Sequence, residues 1–432
     1  MDKLSLRRLF LVLLIVVSFF FTYLIFTQEN FSVAEEEAAT STSSPTNNIS
    51  LGNRANSVFG PSRIIKYAED DIEMINPYLI ENNEAVESFG GLDYGEPEYF
   101  TNVNIQEIIG LAASQPSYIY SYDQSVAYGI FNSIFSSFPE ELSNMTFDYV
   151  VFPLFQGEAY FYNSRSQDTY VVSYEGDLDD VIQGWVDEYD LPLIPVDENV
   201  LGNKVFYLPE EQRVVAHKSY LLNRLPNSLF VDILFDNPED VNVRSSEEGV
   251  RYNDYYSELF ISSETNSVVY NREQYNDSGQ EIQTLIEEGY DVMSRLENWP
   301  DGVHLSDVDY ENQRIFFRRY LDGLPLFAEN YEDGITIEFS GETLIGLSVN
   351  MNIAQIPIDP ADGVIEKTLP NGETVINIIL SEVQDPSAVE NIRIGYEWLY
   401  NEETRRVAQF VPYWFYRYEG TWHKIESLPS DN

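Results

Sequence analysis

The sequence predicts an α+β protein that stands outside a membrane on one N-terminal helix, with three globular units beyond it and the last two rich in strand. Three observations predict this. Leu9 to Thr27 run for nineteen residues without a charge. Residues 28–57 are polar and have almost nothing to bury. From Val58 onward, short β-branched and aromatic runs alternate with a few stretches of helical spacing. A length of 432 residues is nearly three domains of ~150, which suits that count.

The membrane segment is read from length and flanking charge. Nineteen residues at ~1.5 Å each cover ~28 Å, close to the hydrocarbon thickness of a bilayer. Lys3, Arg7 and Arg8 precede the stretch and Glu29 and Glu35 to Glu37 follow it, so the positive-inside rule puts residues 1–8 in the cytoplasm and the bulk of the chain outside the cell. Tyr23 and Phe26 suit the outer aromatic belt. The rival is a signal peptide cleaved after Ser32-Val33-Ala34. Secretory apolar cores run ~7–15 residues with the cleavage site close behind, whereas this one is longer and Ala34 lies seven residues past its end, which favours a retained single-pass anchor. Within it, Ser18 and Thr22 stand four apart in a small-x-x-x-small pattern, and with Leu11, Leu14, Ile15 and Ile25 they mark a candidate helix contact face. The alternative use of both hydroxyls is to bond carbonyls of their own preceding turn.

Beyond the linker, 28–57, the first unit spans 58–195. It contains helix-like NIQEIIGLAA, SVAYGIFNSIF and DLDDVIQGWVDEYD, strand-like FDYVVFPL, and the hairpin-like EAYFYNSRSQDTYVVSYEG. The middle unit, 196–277, opens near KVFYLP and reads as strand through SLFVDILF, ELFISS and SVVYNRE. The last, 278–432, opens with a helix: Ser278 to Glu281 reads as a capping box, and Ile282, Leu285, Ile286, Met293 and Leu296 recur at helical spacing until Trp299-Pro300. Strands follow in RIFFRRYLDGLPLF, GITIEFSG, TLIGLSVNMN, IRIGYEWLYN and VAQFVPYWFYRYEGTW. Tyr252-Asn253-Asp254 with the strands around Leu259 and Val268 matches Tyr331-Glu332-Asp333 with those around Ile335 and Ile345. That is the pattern of an internal repeat, and also one that two hairpins of equal length produce by chance.

Charge and composition exclude several classes. With 72 acidic and 24 basic residues the net charge is −48, which repels nucleic-acid phosphates. The cations are six Lys and eighteen Arg, and an acidic, Lys-poor surface fits a saline or alkaline exterior. Hydrophobic content of 44% with 31 Tyr and 26 Phe supplies a core, so the acidity belongs to a folded surface. The absence of Cys removes disulfides, thiolate metal sites and cysteine catalysis.

Chemistry is sparse. His217, His304 and His423 have no partner His three or four residues away, and neither a G-x-S-x-G elbow, an S-x-x-K motif nor a phosphate loop occurs, so no catalytic residue, cofactor or metal site is assigned. Asp307-Val308-Asp309-Tyr310-Glu311 resembles a calcium loop, but Asn312 replaces the turn Gly and Arg318 stands where the bidentate Glu belongs, so it reads as a turn. Tyr413, Trp414, Phe415, Tyr416, Tyr418 and Trp422 read as sheet core, with glycan stacking as the alternative.

The whole chain resembles the YycH family, on a short basic N-terminus with one anchor, VFGPSRIIKY, KVFYLP, IRIGYEW and FVPYWFYRYEGTW in that order. The resemblance implies an extracytoplasmic protein of three domains, the last two similar to each other and to the companion regulator YycI. It also implies a non-catalytic role acting with YycI on the sensor histidine kinase WalK (YycG) of an essential cell-wall two-component system of Gram-positive bacteria, with contact between transmembrane helices central. The sequence departs from the family in its acidity. A membrane-anchored, wall-facing hydrolase or glycan-binding protein would have much the same anchor, linker and aromatic sheets.

Overall fold

Hydrophobic runs in the first half of the chain build a nine-stranded sheet. The computed structural model describes residues 55, 57–68, 71–80, 85, 88, 92–134, 145–273, 279–297, 299, 302–358, 363–400 and 406–426. Strands β1 (Arg63–Tyr67), β2 (Ile72–Ile75), β3 (Asp93–Phe100), β4 (Ser117–Ala127), β5 (Thr146–Pro153), β6 (Glu158–Asn163), β7 (Asp168–Glu175), β8 (Ile194–Leu201) and β9 (Lys204–Pro209) pair in the order β3-β7-β6-β5-β4-β1-β2-β8-β9. Helices α1 (Ile105–Ala113), α2 (Tyr128–Ile134) and α3 (Leu178–Glu188) accompany them. Seven of the eight residues of β5 are buried because both faces of the sheet are covered. Phe147, Val150 and Phe152 enter the main core with Leu178, Ile182 and Trp185 of α3. Tyr149 and Val151 enter a second core with Ile105, Ile108, Ile109 and Ala112 of α1. Both helices start on side-chain caps: Asn104 accepts from the Gln106 amide at 2.9 Å and Asp177 from the Asp180 amide at 3.2 Å.

The second half forms a larger sheet and a two-stranded ribbon. In chain order its elements are β10 (Arg213–Ala216), β11 (Lys218–Arg224), α4 (Asn227–Leu234), β12 (Asn242–Ser245), β13 (Gly249–Asn253), β14 (Ser257–Ser262), β15 (Ser267–Arg272) and α5 (Ile282–Leu296). Then come β16 (Val303–Asp309), β17 (Arg314–Leu321), β18 (Leu324–Phe327), β19 (Gly334–Ser340), β20 (Thr343–Asn350), β21 (Asn352–Pro357), β22 (Glu366–Leu369), α6 (Gly372–Glu382), β23 (Val389–Tyr400), β24 (Val407–Tyr418) and β25 (Thr421–Ile425). Fourteen strands pair along β12-β13-β14-β15-β20-β19-β17-β18-β23-β24-β11-β21, with β16 on β17 and β25 on β24, while β10 and β22 form the ribbon. The segment β12-β13-β14-β15-β20-β19-β17-β16 reads alike from either end. Two runs of one helix and four sheet strands lie back to back, their last strands paired with Val268 opposite Val349 and Tyr270 opposite Leu347.

Two sequence expectations change. SLFVDILF, read as strand from its β-branched and aromatic content, is mostly helix α4: Phe230 and Leu234, four apart, are its buried face. Burial on one helical stripe overrides intrinsic strand preference here. At α5 the N-cap is Glu281 without a side-chain cap bond. Gln280 instead donates from Nε2 to Glu288 at 2.6 Å. The rest of α5 follows the periodicity, with Leu285, Ile286, Gly289, Tyr290, Met293 and Leu296 buried. The anchor stretch 9–27, with Leu11, Leu14, Ile15, Ser18, Thr22 and Ile25, lies outside the described residues, and among the described residues no helix is long and apolar enough to cross a membrane.

Gly289 sits where α5 crosses the sheet: a Cβ there would run into Cδ1 of Ile315 on β17. Gly289→Leu is therefore expected to lose roughly 1–3 kcal/mol by overpacking. In Gly289→Ala, a helix-propensity gain of up to about 1 kcal/mol offsets the smaller clash. Urea denaturation of the two variants beside the parent measures both.

Candidate functional site

The two sheets are joined by a buried polar seam. Between Ser121 and Val126 the β4–β5 register shifts, and Asp123 lies in that irregular stretch. Its carboxylate pairs with the Arg393 guanidinium of β23 and accepts from Asn391 Nδ2 at 2.9 Å and from the Tyr320 hydroxyl at 3.3 Å. Arg393 Nη1 also donates to that hydroxyl at 2.9 Å. Taking two ions out of water costs several kcal/mol each, which only close pairing and additional hydrogen bonds offset. Arg393 and Asp123 are each 8% exposed at the side chain, so the seam meets that demand away from solvent.

The segment around β1 is fastened to the same seam. Arg63 Nη2 donates to the Ile392 carbonyl at 2.6 Å and Asn76 Nδ2 to the Gly323 carbonyl at 3.0 Å. The His304 ring lies 4.0 Å from that of Tyr78 and 4.5 Å from that of Tyr320, and its Nδ1 is 2.6 Å from the Ser57 carbonyl. Burial pushes the His304 pKa down to about 3, against a smaller opposing effect of the Ser57 bond. Burial, then the neighbouring Arg63 charge, lowers Arg393 to about 9. Burial raises Tyr78 and Tyr320. A neutral imidazole held between two rings and a carbonyl positions a chain segment; it is a poor proton carrier near neutral pH.

Two cavities flank the seam. One, of about 350 Å³, is lined by Arg63, Arg393, Arg213 and Lys218 together with apolar side chains of β2, β8, β18, β23 and β24, and Asp322 is the acid of its wall. The other, of about 580 Å³, is polar and holds Asp148, Lys204, Glu390 and Arg417. Within it, the buried Asp148 pairs with Ser164. Burial raises Asp148 and lowers Lys204. Among the described residues no group of three or more His, Asp or Glu could hold a metal ion.

The three histidines lie apart in the fold. His304 is on β16 at the seam, His217 follows β10, and His423 stacks on Tyr416 with ring centroids 5.1 Å apart. In the C-terminal aromatic run, Trp414 and Tyr416 enter a core with α6, and Phe415 stacks on Phe327 at 3.8 Å. The seam residues Arg63, Asp123 and Arg393 were not among the sequence candidates. For Arg63 and Arg393 the sequence signal is an arginine flanked by apolar residues, in SRIIKY and IRIGYEW, and these two segments, far apart in the chain, meet at the Arg63–Ile392 bond; Asp123 carries no such signal.

Comparison with known proteins agrees on one family. The family model described as "YycH protein, C-terminal domain" matches residues 203–432. The crystal structure of YycH from Bacillus subtilis is similar to this chain, with a TM-score of 0.66 at 14% sequence identity, covering 86% of this chain and 96% of that one. No curated protein matches in sequence.

A histidine held neutral in the fold but free to protonate when unfolded binds more protons in the unfolded state between its two pKa values. Stability conferred through His304 is therefore lost as pH falls from about 6.5 toward 3, by up to ~1.4 kcal/mol per unit. Glu332, buried and raised to about 7, acts in the opposite sense from about 4.5 to 7, so the contrast with a variant isolates the imidazole. Urea midpoints at pH 7, 6 and 5 are expected to fall less steeply in His304→Gln than in the parent.

Proposed function

This chain belongs to the YycH family, and from that premise we propose that it is a non-catalytic, membrane-anchored regulator of the family's sensor histidine kinase, WalK (YycG), working beside a YycI-like companion. The observation that carries this reading is the family match over residues 203–432. The fold shared with the Bacillus subtilis protein along most of both chains supports it.

The proposed route to the kinase follows from topology. The kinase's catalytic part is cytoplasmic and the body of this chain is expected outside, so the proposed path for a free-energy difference across the bilayer is the helix 9–27. Ser18 and Thr22 let a neighbouring helix come close and can each add an interhelical hydrogen bond of roughly 0.6 kcal/mol on average. Leu11, Leu14, Ile15 and Ile25 complete that face. The body outside the cell then presents the surface on which the companion and any external partner bind.

Replacing Ser18 and Thr22 together with Leu is expected to keep membrane insertion and to reduce co-purification with the kinase and companion by about three- to tenfold. Kinase output should shift with it. The same pair of substitutions at Val12 and Phe19 is the neutral control. Unchanged association and output in the Ser18/Thr22 variant would contradict the proposed contact face.

A further inference from the structure

The cavity between β1, the β10–β22 ribbon and β23 has the makings of an anion site. In a chain of net charge −48, its wall carries four cations, Arg63, Arg213, Lys218 and Arg393, against the single acid Asp322, which Lys218 already engages. Arg63 spends one N–H on the Ile392 carbonyl and, among the described residues, faces no carboxylate at ion-pair distance. Arg393 spends Nη1 on Asp123 and Tyr320, which leaves Nη2 and the buried Nε without a protein partner among the described residues. The neighbouring Arg63 charge also raises the cost of charging Arg393. Two arginines against the one carboxylate of Asp123 leave about one positive charge to be matched. The rest of the wall is mostly apolar, with Met74, Ile194, Leu324, Ile394, Tyr396 and Trp414, and Ser62 and Asn76 add two uncharged polar side chains. The volume of about 350 Å³ falls in the range of small-ligand pockets, roughly 300–1,000 Å³.

We propose that this cavity binds a small organic anion, a carboxylate or phosphate monoester with an apolar or aromatic body, its acid group between Arg63 and Arg393. A planar guanidinium recognises either acid group through paired N–H donors, and the apolar wall takes the body. The site stands on the cavity alone, so loss of kinase association and loss of ligand binding are separate outcomes.

The test is calorimetric titration of the full chain in a maltoside detergent with phenyl phosphate and with phenylacetate, beside inorganic phosphate and benzyl alcohol. The expected result is one site per chain for at least one of the two aromatic anions, tighter than for inorganic phosphate and benzyl alcohol; which of the two binds better identifies the acid group. Arg63→Met should weaken that binding by about tenfold or more. Val214, on the cavity wall and 59% exposed, gives a second variant that leaves the core untouched. Val214→Glu places a carboxylate there and should weaken binding severalfold even if Arg63→Met does not fold, which circular dichroism reports. The proposal is overturned by no binding of either aromatic anion, by equal binding of benzyl alcohol or inorganic phosphate, or by affinity unchanged in Val214→Glu.

Discussion

Buried in the second sheet, Arg319 of β17 satisfies all five of its N–H donors within the protein. Nε and Nη2 bond the Glu297 carboxylate at 2.9–3.2 Å, Nη2 also bonds the Asn350 carbonyl at 2.9 Å, and Nη1 bonds the carbonyls of Glu332 and Asn352 at 3.1 Å. The guanidinium lies over the Trp299 ring at 4.9 Å. The pair is 0% and 1% exposed, so each ion depends on the other and on these carbonyls. The network continues outward. Asn350 Nδ2 bonds the carbonyls of Thr265 and Asn330, Asn266 bonds Asn352, Asn352 bonds the Tyr400 hydroxyl, and that hydroxyl donates to Glu332. The end of α5, both halves of the palindromic sheet and β23 therefore converge on one side chain.

Its neighbours on β17 carry the connection further. Arg318 pairs with Asp333 at 2.8 Å, bonds the Leu326 carbonyl and lies over the rings of Phe327 and Trp422. Tyr320 reaches the Asp123–Arg393 pair at the seam with the first sheet. Three consecutive residues thus tie β17 to the β23–β25 end of its own sheet, to the core of the palindrome and to the first sheet. Hydrophobic burial supplies most of the stabilisation of such a body, whereas these polar contacts fix which surfaces meet.

How much of this was legible in the sequence depended on whether the signal was local. Helix α5 and strand β5 were readable because their periodicities, 3.6 and a run buried on both faces, are carried by contiguous residues. SLFVDILF misled because its composition favours strand while the four-residue spacing of Phe230 and Leu234 decides for helix. The helix GETVINIILSE, α6, passed unread although Asn371 caps it by accepting from the Thr374 amide at 3.2 Å. The pairings within the seam and at the Arg319 node are hidden for a different reason. RIFFRRYLDG shows two adjacent charges in a strand, which by pattern alone suggests exposure; what accommodates Arg319 in the interior is Glu297, twenty-two residues back, together with the carbonyls of Glu332, Asn350 and Asn352, and what accommodates Arg318 is Asp333 and the Leu326 carbonyl. A single sequence carries no trace of such non-local pairing.

The dependence of the second sheet on the Arg319–Glu297 pair is tested most directly by urea denaturation of Arg319→Met and of Arg319→Met/Glu297→Met in the full chain. Removing one partner leaves a buried carboxylate uncompensated, so the single variant should lose about 3–5 kcal/mol, and removing both should restore at least about 1–2 kcal/mol of it. A single variant within about 1 kcal/mol of the parent, or a double variant no more stable than the single, would contradict the account.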